Sequence, residues 1–96
     1  MLYEKFIDSL QNEGPPEGVK DVLTALWWDG KSNWDEAHRI AQEITDLNGS
    51  WVHAYLHRKE GDIWNADYWY TRAGKKRPEK ALDEEWKELV NYFCRA

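Results

Sequence analysis

Ninety-six residues and 11.4 kDa make one small domain and leave no room for two. Surface scaling gives about 5,800 Å² for the folded chain against about 16,500 Å² unfolded, so a single core forms without disulfide or metal staples. A mean hydropathy of -0.89 leaves no run near the ~20 apolar residues of a bilayer span, and a net charge of -5 speaks against a dedicated nucleic-acid binder.

In chain order, Leu2, Phe6 and Leu10 recur at four-residue spacing and predict a short helix in an N-terminal segment, residues 1–14. After Pro15-Pro16, apolar residues at Val19, Val22, Leu23, Leu26 and Trp27 predict an amphipathic helix. Asn33 reads as the cap of the next helix, with Asp35 and Glu36 in its first turn and Trp34, Ala37, Ile40, Ala41, Ile44 and Leu47 on its apolar face. Asn48-Gly49 closes it, and Ser50 opens a helix running from Trp51 towards Glu60. Past the break at Gly61-Asp62, Ala66, Trp69, Tyr70 and Ala73 share a face, and Gly74 stops the helix. A basic loop, 75–82, precedes a capping helix, 83–96, that turns Trp86, Leu89, Val90 and Phe93 inward. No alternating strand pattern appears. The expectation is a single all-α domain of five or six short antiparallel helices, with helical hairpins over 15–74.

Two stretches, Trp34-Asp35-Glu36-Ala37-His38-Arg39-Ile40-Ala41 and Gly61 to Ala73, are alike. Each resembles the second helix of a tetratricopeptide unit, in which a small Ala packs on the first helix. Ala66-x-x-Trp69-Tyr70-x-Arg72-Ala73-Gly74 is closest to the Sel-one-like subclass. Twenty-nine residues separate Ala37 from Ala66, against about 34 for the tetratricopeptide repeat. The stretch Trp51 to Asp62 with Asn65-Ala66 also looks like a group of small uncharacterised bacterial proteins. The resemblance covers about residues 20–74, implies helical hairpins and brings no catalytic residue with it.

Seven Trp, five Tyr and two Phe make up 15% of the chain, more than a core this small needs. Trp34, Trp69, Tyr70 and Trp86 fall on inward faces. Trp27 and Trp28 diverge by about 100°, so at least one lies at a helix boundary or on the surface. Trp51 and Trp64 sit at helix starts. The surplus predicts a weak homodimer or a partner surface on the Trp27/Trp28 helix. Charge is uneven: residues 57–80 carry seven Lys and Arg against four acids, residues 1–56 four against ten.

Two functional readings follow. The first is a non-enzymatic interaction module that presents Trp51, Tyr55, Arg58 and Lys59 to an acidic or carboxylate-ended protein or peptide. The second is a small-molecule or metal site around His53 and His57, with room for an enzymatic role. These histidines lie four apart on one helical face, the spacing metal sites use. Counting back from the Gly61-Asp62 turn brings Asp67 near His57 and Tyr70 near His53, where either can hydrogen-bond an imidazole without a metal. No third ligand, His-Glu-x-x-His run or thiolate pair completes a zinc set, so neither metal nor cofactor is assigned. His38, beside Arg39, is expected at the surface.

Nucleophile elbow, phosphate loop and dinucleotide fingerprint are all missing. Ser9, Ser32 and Ser50 have loop or cap explanations, and Cys94 has no neighbour to activate it. One cysteine without a partner and no leader at Met1–Phe6 favour a reducing, cytoplasmic setting.

Overall fold

The structure, a computed structural model, describes residues 1–95; Ala96, the last residue of the expected capping segment, lies outside the described residues. In chain order the helices are α1 (Tyr3–Ser9), α2 (Asp21–Gly30), α3 (Trp34–Glu43), α4 (Leu47–Glu60), α5 (Ile63–Arg72) and α6 (Leu82–Arg95), with no strand among the described residues. The all-α expectation holds.

Side-chain caps set three of the starts by accepting an otherwise unpaired N–H. Asn33 accepts from Glu36 N at 3.1 Å, Asp46 from Gly49 N at 3.0 Å, and Asp62 from Asn65 N at 3.4 Å. Gly61 (φ +88°) takes the left-handed turn that stops α4, and Gly74 (φ +73°) follows α5 in the same way.

Two boundaries differ from the sequence reading. Residues 15–20 form a turn and an extended run, and α2 starts only at Asp21. Helix α3 ends at Glu43 with Ile44 extended; Leu47 opens α4 and is 64% exposed, so it is no part of the α3 apolar face. Gly49 lies in the first turn of α4 rather than closing α3. A Cβ at Gly49 would overlap the Ile44 carbonyl and lie 2.6 Å from Ile44 Cβ. The glycine serves close approach of two segments, not helix termination.

Helices α2 and α3 pair as one hairpin and α4 and α5 as a second, with α3 also packed on α4. Helix α6 lies across α2 and α4, and α1 packs on α6. The core contains Phe6, Leu26, Trp27, Val52, Leu56, Leu89, Val90 and Phe93, and α4 is buried without a break from Gly49 to His57. Indole N–H groups tie the layers: Trp27 donates to Ser9 Oγ at 3.1 Å, Trp34 to Leu56 O at 2.8 Å and Trp86 to Leu26 O at 3.0 Å. The surface of 5851 Å² and the 12.3 Å radius of gyration match a single folded body of this length.

Trp27 is fully buried and Trp28 half-buried, so α2 does not present the aromatic face expected of a homodimer surface. The exposed aromatics are instead Trp64 (81%), Tyr68 (48%) and Tyr92 (49%). No helix among the described residues is long and apolar enough to cross a membrane.

Gly49→Ala is expected to cost about 1–3 kcal/mol, because the clash falls on the backbone and branched side chain of Ile44. Gly14, whose Cβ position meets nothing within 4 Å, supplies the control. Equal thermal shifts for Gly49→Ala and Gly14→Ala would refute the close-approach role.

Candidate metal centre

Burying α4 puts polar side chains where water cannot reach them, and each must find a partner. Tyr55 donates to Asp29 Oδ2 at 2.8 Å, and Lys59 Nζ donates to Asp29 Oδ1 at 2.8 Å. Arg58 Nη1 donates to Glu85 Oε1 at 2.7 Å, and its other terminal nitrogen to the Lys80 carbonyl. Tyr70 completes the second cluster, donating to Glu85 Oε2 at 2.6 Å. Asp29 and Glu85 are 3% and 1% exposed. Burial, followed by the neighbouring Asp29, raises the Tyr55 phenol far above its ordinary value; burial and the Glu85 hydrogen bond do the same to Tyr70. Both remain neutral donors.

The four residues read as a partner patch therefore do not form one exposed face: only Lys59 is exposed, and its ammonium is engaged with Asp29. Tyr55 fills the interior, and Trp51 packs edge-on to Phe93 at 5.8 Å with Lys75 Nζ 4.2 Å above its ring. Arg58 and Lys59 neutralise buried acids from α6 and α2. Nor do Asp67 and Tyr70 join the histidines. Asp67 pairs at the surface with Arg77 at 2.8 Å, and Tyr70 turns to Glu85. One position on a helix is about 100° of rotation, and it is Trp69 that faces His53.

His53 and His57, 6% and 8% exposed, stack one turn apart on α4 with ring centroids 4.8 Å apart. Trp69 lies flat on His53 at 4.1 Å. From α3 comes the residue the sequence reading placed in solvent: His38 is half-buried, its Nε2 3.0 Å from His53 Nε2 and its ring 5.1 Å from that of His57. Trp34, one turn earlier on α3, stacks on His38 at 4.8 Å. Helix α3 thus delivers an imidazole and the indole that supports it, and the Trp34 bond to Leu56 O fixes that indole on α4.

One donor nitrogen from each of His38, His53 and His57 lies within 4.8 Å of the other two. His57 Nδ1 is 3.1 Å from Glu60 Oε1, the carboxylate–imidazole pairing that holds a ring's hydrogen on one nitrogen and frees the other as a ligand. Burial, then the neighbouring His38 and His57, push His53 down to about 4. Burial, then His57, also lower His38, against smaller upward pulls from Glu60 and Asp35. Neutral imidazole is the ligating form. Comparison with protein families, curated proteins and solved structures finds no match to this chain.

Arg58→Ala is expected to destabilise the fold by about 3 kcal/mol, since it strands a carboxylate that is almost fully enclosed. Lys59→Ala should cost less, because a cavity of about 360 Å³ beside Asp29 admits water. Urea denaturation of both variants checks the order; the reverse order would break the account.

A pH effect follows from the histidines. In metal-free protein, unfolded imidazoles protonate as pH falls through about 6.5, while folded His53 resists to about 4. The unfolded state then holds more protons, so stability is complete above pH ~6.5 and declines as pH falls towards 4. Melting scans in chelator should show this decline, shallower in His53→Gln.

Proposed function

We propose that this protein binds one transition-metal ion of the Zn²⁺ class through His38, His53 and His57. The observation that carries the reading is the convergence of three mutually close donor nitrogens from two helices. Nitrogens held at about 2.0–2.1 Å by a tetrahedral ion lie about 3.3 Å apart. The His38–His53 pair must widen by a few tenths of an ångström and the longest separation contract by about 1–1.5 Å, which side-chain rotation supplies. Each ring keeps its hydrogen on the nitrogen away from the ion, and for His57 that nitrogen faces Glu60. Three neutral imidazoles favour Zn²⁺, Cu²⁺ or Ni²⁺ over the oxygen-seeking Mg²⁺ and Ca²⁺. The hairpins, with Ala37 and Ala66 fully buried, support the tetratricopeptide-like reading of the scaffold.

Isothermal titration with Zn²⁺ should give one equivalent, with no heat from Mg²⁺. His38→Ala and His57→Ala should each weaken binding by more than the ~10–100-fold typical of losing an outer partner. Glu60→Gln should fall within that range. Protein that shows neither heat nor a melting shift with excess Zn²⁺ would end this proposal.

A second reading, a non-enzymatic module for an acidic partner, draws on a different face. Trp64 is the most exposed large hydrophobic side chain, Tyr68 follows one turn later on α5, and Arg72 lies over Tyr68 at 6.0 Å. Lys76, exposed, follows just beyond the helix end. An acidic peptide should bind with an affinity that falls on Trp64→Ala and in high salt; indifference to both would remove it.

A further inference from the structure

We infer that the ion held by the three histidines keeps one coordination position open for a small anionic donor from solution, hydroxide or a small monodentate anion. This rests on the three-histidine reading above. The argument is a count of donors. Zinc in protein sites takes four ligands, and sites that do chemistry or bind exogenous groups leave one to solvent. Here the chain brings three.

The groups that might supply the fourth are engaged elsewhere or lie outside the cluster; Asp35, close enough to His38 to act on it by charge, is not among its mutually close donors. Glu60 is engaged at His57 Nδ1, on the edge of the ring away from the ion. Asp62 caps α5, accepting from Asn65 N at 3.4 Å and from Asn65 Nδ2 at 3.1 Å. The Trp34 indole N–H is spent on Leu56 O, and an indole has no lone pair to offer a metal. Cys94, the one thiol, lies on α6. Trp34 and Trp69 cover the ring faces of His38 and His53, leaving the ion's approach on the half-exposed side of His38.

Charge selects the class of ligand. Three neutral imidazoles leave the ion its full double positive charge, so the open position favours an anion and lowers the pKa of bound water towards neutrality. The flanking indoles restrict it to a small one.

Cobalt(II) is the probe, because its visible absorption reports coordination number and ligand exchange. Titrating the protein with Co²⁺ should produce the intense bands of a four-coordinate ion, and adding azide should shift them in a saturable way. Asp62→Asn should keep both responses. Bands that form but ignore azide would overturn the open position; if Glu60→Gln then alters them, Glu60 is the fourth ligand. A Co²⁺ spectrum unchanged from that of the free ion would instead defeat the three-histidine reading itself, and the open position with it.

Discussion

The enclosure of α4 is the constraint on which the rest of the structure depends. A helix buried on every side is ordinarily apolar all round, yet this one carries Ser50, His53, Tyr55 and His57 inside and Arg58 at the margin. Leaving one such group unpaired costs about 1–3 kcal/mol, so the partners had to come from the enclosing helices. For Tyr55 and Arg58 those partners are Asp29 near the end of α2 and Glu85 near the start of α6, and the acids' own near-complete burial is tolerable only because α4 supplies Lys59, Tyr55 and Arg58 in return. Each side justifies the other. Among the described residues no buried side-chain polar atom is left without a hydrogen bond.

What was local could be read from the sequence. The Asn33 cap, the stops at Gly61 and Gly74, and the inward face of α6 depend on residues within a turn or two of one another. The acids that claim Arg58 and Lys59 stand 27 and 30 residues away, and no short-range pattern marks them. Free cations and cations paired with a buried acid look the same on a helical wheel.

His38 was lost for a narrower reason. It stands seven residues before Thr45, and His53 seven after Asp46, so an antiparallel turn at Thr45–Asp46 sets them opposite each other. Placing the turn at Asn48–Gly49 instead sets Ile44 opposite His53, and the third imidazole vanishes from view. The polar neighbour Arg39 points His38 outward in sequence, and reading Asn48-Gly49 as a helix stop hides the register that brings it in, since this glycine is required for the chain to pass Ile44. A three-residue shift in one turn separates a lone histidine pair from a cluster of three.

The two ways in which the fold buries polarity differ in what they leave available. Around Asp29 and Glu85 each carboxylate faces a cation and a phenol, so those contacts fix α2 and α6 on α4 and offer little to a ligand. Around the histidines, one Nε2-to-Nε2 contact and one carboxylate serve three rings, and donor capacity remains. Stability alone does not call for this arrangement: apolar residues of similar volume would stack on Trp34 and Trp69 without the penalty that protonation brings at low pH. The proposed ion, shared by α3 and α4, would turn that penalty to use, because its binding free energy would be drawn only by the folded chain and would add to the stability of the hairpin junction. The contact between the two hairpins is where a ligand gains the most leverage over the whole fold, and that is where the three imidazoles lie.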